Sequence, residues 1–181
     1  MSVIYKPENF EDFNGVLFLL KESHANEQDK GDEETVTLGA REWYKQKVLA
    51  QGSTCRYKKR FCEMLAHISL DESELQNAAY DNLYRLGGDA KSSKEYSTCL
   101  KDYERKDFDA LMKELRNKVR YIFTCKNIYN KLKAMLNGQG NENSNGLQYK
   151  SKILPYFESD EEITVYQIDH PSRGSRIYTK K

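Results

Sequence analysis

Arg60 and His67 stand seven residues apart in a segment of helical period, which puts a fixed cation and a titratable imidazole on one helix face two turns apart. Any arginine and histidine so spaced share a face, and a histidine at a helix C-terminus is favoured there by the partial negative charge of that end. The chain has 3 histidines. His24 ends a polar stretch and His170 precedes Pro171 in loop chemistry, and neither has a serine, cysteine or aspartate set beside it as a triad. Cys55, Cys62, Cys99 and Cys125 show no Cys-x-x-Cys pair and no histidine within four positions, so zinc spacing is missing and four free thiols are expected. The acidic runs 32–34 and 158–162 lack the glycine and spacing of a calcium loop, and no glycine-rich phosphate or dinucleotide loop occurs. No metal and no cofactor is expected.

The Arg60 to His67 spacing, Arg-x6-His, resembles the motif of HEPN-type ribonucleases. That resemblance implies an all-helical fold in which Arg60 stabilises phosphate charge and His67 shuttles a proton during metal-independent RNA cleavage across a dimer interface. It covers these two residues only, and Phe61 stands where that family commonly carries a polar side chain.

Charge is distributed in blocks. The whole chain is at +1, yet residues 41–60 carry 7 cations and 1 acid, and residues 105–133 carry 9 and 3. The blocks 1–34 and 61–104 hold the compensating acids, 9 against 3 cations and 9 against 4. Winding 107–136 as one helix at about 100° per residue gathers Lys113, Arg116, Arg120 and Lys131 in one sector, opposite Phe108, Leu111 and Leu115. The other block offers Arg41, Lys45, Arg56, Lys58, Lys59 and Arg60, interleaved with Trp43, Tyr44 and Tyr57. Packed side by side, two such helices form a surface suited to a phosphate backbone, because each neutralised phosphate releases counterions and flat side chains stack on bases. An acidic protein surface, or plain solvation with neutralisation inside the molecule, accounts for the same pattern.

The elements that must hold these residues read as helices punctuated by turns. Helices are expected over 7–25, with Phe10, Phe13, Leu17 and Leu20 as the apolar face, over 38–51 up to Gly52, and over 55–68. A fourth starts at Asp71 with Glu74 three residues on, a capping-box pattern, and stops at Gly87-Gly88. A short helix from Ser92 or Ser93 precedes the long one ending at Asn137-Gly138. Residues 138–148 read as a flexible linker, and 149–181 as a β-hairpin tail in which 162–169 pairs with 176–179. The fold expected is therefore mainly α, a bundle of five to six helices (1–137) with a small C-terminal β-hairpin docked on the bundle or on a partner through Tyr166, Ile168, Arg173 and Arg176.

Length and composition bound the rest. With 181 residues, 38% hydrophobic and 12% aromatic, the chain buries a real core and is not intrinsically disordered. Its longest apolar run, Val16 to Leu20, is far short of a membrane span, and its opening residues lack the order of a signal peptide. An intracellular, reducing setting is expected. The 13 tyrosines suit half-buried positions and interfaces. The leading expectation is a non-enzymatic module that contacts nucleic acid through its basic helical faces. A protein-interaction or regulatory component of a larger complex and the ribonuclease are the alternatives.

Overall fold

Val16 to Leu20 offers five consecutive apolar side chains between Gly15 and the polar residues 21–24, a pattern that satisfies a parallel strand covered on both faces. In the computed structural model they form the heart of β1 (Val16–His24), all five at most 1% exposed. The structure describes residues 3–24, 31–88, 94–141, 146–149, 152–169 and 178–179, with backbone alone at 22–24, 86–88, 140–141, 149, 152 and 178–179.

Parallel neighbours flank β1 on both sides: β2 (Ala79–Gly88), with Leu19 opposite Asp81, and β3 (Tyr121–Cys125), with Leu19 opposite Thr124. Four further strands of the chain are β4 (Gln139–Asn141), β7 (Tyr156–Glu158) and β8 (Thr164–Ile168) in this sheet, and β5 (Gln148–Tyr149) outside it. The sheet runs β2, β1, β3, β8, β7, β4, with β8 parallel to β3 and the last two strands antiparallel. β5 instead joins β6 (Lys152–Ile153) and β9 (Tyr178–Thr179) in a small second sheet.

Because the strand order reverses at β1, the connecting helices fall on opposite faces, as in doubly wound folds. α1 (Glu33–Trp43), its π-wound continuation Tyr44–Leu49, and α2 (Arg56–His67) cover one face, where Val16, Phe18 and Leu20 meet Tyr44, Val48, Phe61, Met64 and Leu65. α3 (Lys94–Asp102), α4 (Arg105–Glu114) and α5 (Lys126–Met135) cover the other, where Leu17, Leu19, Ile122 and Val165 meet Phe108, Leu115, Ile128 and Leu132. Asp32 caps α1 by accepting from the N–H groups of Glu34 and Thr35. Glu104 and Asp107 form a capping box on α4.

The architecture is a three-layer α/β sandwich and not the mainly α bundle with a terminal hairpin. Three corrections make the difference. The expected helix 7–25 is a short 3-10 turn followed by β1, because the pattern that fitted a helix face is the two-sided burial of a central strand. The expected helix 71–86 keeps its Asp71 cap but lasts only through a 3-10 turn, Glu72–Asn77, before β2 begins. The long helix 107–136 is interrupted at Arg116 and Asn117, whose φ angles are +49° and +54°, and the chain passes through β3 before α5. The strand read over 162–169 exists as β8, but it pairs with β3 and β7. Residues 178–179 pair with β5, so the expected hairpin partners lie in different sheets.

Two glycines fix close approaches. Gly15 enters β1 at φ +80°, with its carbonyl receiving the N–H groups of Arg120 and Tyr121, and a Cβ there would stand 3.0 Å from the Lys118 oxygen. Gly138 lies against the Phe157 ring, which a Cβ would meet at 2.3 Å.

Candidate functional site

A cavity of about 720 Å³ lies over β1 and β2, roofed by α3 and α4. β2 builds its floor by alternation. Tyr80 and Asn82 turn towards α2, joined by an Asn82 amide N–H donating to the Tyr80 hydroxyl at 3.0 Å, so Asp81, Leu83 and Arg85 turn the other way. On that side Asp81 is 2% exposed and pairs with Arg85, whose guanidinium also lies 3.8 Å from Glu33 at the start of α1. Burial pushes the Asp81 carboxyl up to about 6, with Arg85 and the N–H groups of Asn82 and Ile4 pulling the other way. Desolvation therefore outweighs the attached cation.

α3 supplies the wall. Its positions 95, 98, 99 and 102 recur at three and four residues and share a face, so Glu95, Thr98, Cys99 and Asp102 line the cavity together. The Cys99 thiol donates to the Leu83 carbonyl at 3.5 Å, and burial raises its pKa, which keeps it protonated and poorly nucleophilic. Tyr103 follows α3, and its hydroxyl is buried with no hydrogen-bond partner among the described residues. Burial, then the charges of Asp81 and Asp107, raise its pKa, so it stays a neutral phenol. Leu19, Leu83 and Leu111 give the cavity its apolar surface. The arrangement offers an apolar slot with a few convergent polar groups, the usual make-up of a small-molecule site.

The residues singled out from sequence are dispersed. Arg60 is 3% exposed and pairs with Glu63 at 2.7 Å, while His67 packs edge-on against Tyr166 on β8 with centroids 5.2 Å apart. Both sit in an α/β sandwich, so the all-helical context that the ribonuclease resemblance implies is not the one observed. Lys58 is buried, donating to the Ala50 carbonyl and pairing with Glu72 at 2.8 Å. Arg41 donates to the Ile4 and Val3 carbonyls and fastens the N-terminal segment. Lys45, Arg56 and Lys59 are exposed.

The second basic block is divided among α4, the turn after it and α5. Lys113, Arg116 and Arg120 are exposed, and Arg116 lies 4.7 Å from the Phe10 ring centre and 3.3 Å from Glu11. Lys131 donates to the Lys101 carbonyl at 2.8 Å. α2 and α5 lie on opposite faces of the sheet, so the two basic blocks do not join into one surface. Tyr166 and Ile168 are buried in β8, which has neighbours on both sides and no free edge for strand addition. Arg173, Arg176 and His170 lie outside the described residues.

Among the described residues no group of three His, Cys, Asp or Glu side chains is arranged to hold a metal ion. Among them, too, no helix is long and apolar enough to cross a membrane. The cavity depends on β2, which the helical reading of 71–86 hides by placing Asp81, Leu83 and Arg85 on a helix. Their i, i+2, i+4 spacing is the signal that a strand reading would have used.

Fold and cavity together define the class, a doubly wound three-layer α/β domain with a slot between its edge strand and the covering helices. No family model, no curated protein and no solved structure matches the chain.

Proposed function

We propose that this domain is a binding module whose ligand is a small molecule held in the cavity between β2, α3 and α4. The observation that carries this reading is the meeting, in one cavity of about 720 Å³, of a buried carboxylate, Asp81, an unpartnered phenol, Tyr103, and a leucine-lined wall. Cys99 is a protonated thiol, and the carboxylate at the centre of the floor, Asp81, is tied to Arg85, which favours binding over catalysis. The test is an amide NMR titration of the full chain with mixtures of drug-fragment-sized compounds. Shifts concentrated at 81–85, 98–103 and 110 in the unaltered chain, and lost in Ala110→Trp, support the reading; Ala110 is exposed at the cavity edge, so tryptophan fills the slot without entering the core. Shifts scattered over the surface and indifferent to Ala110→Trp overturn it.

A second reading keeps nucleic acid as ligand on one face alone. It rests on Lys45, Lys47 and Lys59, which are exposed and make no ion pair among the described residues, beside the exposed Arg56. Its test is fluorescence anisotropy of labelled single-stranded DNA and RNA at about 50 and 200 mM salt, where phosphate contacts weaken steeply. Loss of binding in folded Lys45→Glu/Lys59→Glu supports it, and no binding at the lower salt excludes it.

A further inference from the structure

We infer that the ligand taken by the cavity is an amphipathic organic cation, an amine with an aromatic or aliphatic body; this rests on the cavity being a ligand site. Among the described residues the cavity is bordered by six carboxylates and two cations, Arg85 and Lys94. Much of that charge is already committed. Asp81 and Glu33 hold Arg85, Asp107 accepts the Glu104 N–H at 2.8 Å, and Glu114 accepts the Val3 N–H at 2.8 Å and pairs with Lys6. Glu95 and Asp102 remain, without an ion pair or hydrogen bond among the described residues, on the α3 face that lines the slot.

Three observations then point the same way. The two uncommitted carboxylates, exposed at the rim of the slot, favour a positive guest over a negative one, and a guest seated on the adjoining apolar wall of Leu19, Leu83 and Leu111 displaces part of the water that screens them. The C-terminal end of α3 carries partial negative charge, and it already draws the Lys131 ammonium to the Lys101 carbonyl at 2.8 Å. Tyr103 presents an oxygen whose proton is retained, so its hydroxyl accepts a hydrogen bond from an ammonium while its ring offers an electron-rich face. An anion is disfavoured on this wall, because Arg85 is held on two sides by carboxylates and the remaining cation, Lys94, stands next to Glu95. A hydrophobic body on the leucines and an ammonium towards Glu95, Asp102 and Tyr103 use both uncommitted carboxylates and the apolar wall.

The experiment compares three probes of one shape, 2-phenylethylammonium, 2-phenylethanol and 3-phenylpropionate, by amide NMR titration of the full chain near pH 7. The expected result is that the ammonium binds at least about tenfold more tightly than the propionate. In Glu95→Gln/Asp102→Asn, whose changes are both at exposed positions, that preference falls several-fold while the alcohol is unaffected. Tyr103→Phe, which keeps the ring, weakens the ammonium and leaves its chemical-shift pattern in place. Equal or tighter binding of the alcohol or the propionate at the cavity, lost in Ala110→Trp, overturns the cation while leaving the cavity a ligand site. No cavity shifts from any of the three probes overturns both.

Discussion

Arg85 and Asp81 point to the same side of β2, four residues apart, and form an ion pair in which their side chains are 11% and 3% exposed. A charge pair this deep restrains the floor of the cavity but contributes little net stability, because desolvating both groups offsets most of their attraction.

The Asp81 carboxyl is raised from 3.8 to about 6, so the folded state binds its proton more tightly than the unfolded chain does. Its contribution to stability is complete below the unfolded value and declines as pH rises through about 6. Chemical denaturation of the wild type and of Asp81→Asn across this range checks the sign. The difference between them should change most between the two values, with the wild type losing stability relative to the variant as pH rises.

Arg60 and Glu63 make a second buried pair, at 2.7 Å with side chains 4% and 15% exposed. Glu63→Ala removes the carboxylate paired with this buried guanidinium and should cost about 3 kcal/mol, whereas Arg60→Met, which keeps an extended apolar stem, should cost distinctly less. Urea unfolding of both variants measures the ordering. Equal losses would show that Arg60 has other partners that matter as much as Glu63.

Phe18 on β1 stacks on Phe61 of α2 with centroids 4.1 Å apart and planes 15° from parallel, and both are fully buried. Phe61→Ala opens a cavity against the central strand and should destabilise by about 3–5 kcal/mol, read from the shift in unfolding midpoint. Phe61→Leu should recover a large part of that loss.

Gly15 holds φ +80° with the Lys118 oxygen 3.0 Å from any Cβ. Gly15→Ala is expected to cost about 1–2 kcal/mol from the left-handed backbone alone, with the steric contact adding to it. Gly52, at φ +70° with open space around it, is the control: Gly52→Ala has the strain without the contact and should lose less.

Some of this fold is written locally. The helix read over 55–68 occurs as Arg56–His67, and the short helix read further on is present over Lys94–Asp102, its expected start at Ser92 or Ser93 lying outside the described residues, because amphipathic period is a local property. Asp71 also caps as its type demands, accepting from the Ser73 N–H at 2.8 Å. β1 was illegible because a strand covered on both faces has no alternation to detect, and Phe10, Phe13, Leu17 and Leu20 happen to fall at helical spacing. The break at Arg116 and Asn117 carries no glycine or proline; the surrounding tertiary structure imposes it. Of the candidate residues, Arg60 and Lys58 were read as surface cations and proved buried, since helical position alone does not say which face a neighbouring sheet will cover.

β1 is finished early in the chain, yet one of its two neighbours comes very late. Leu19 and Thr124, joined by the threonine hydroxyl at 2.6 Å where the β1–β3 ladder ends, are 105 residues apart. During synthesis at about 5–20 residues per second, the apolar Val16–Leu20 segment waits for several seconds or more with one edge unpaired. Until Thr124 arrives, that apolar edge is exposed in the nascent chain, and pairing it closes a loop of 105 residues, a contact of the long sequence separation that slows folding.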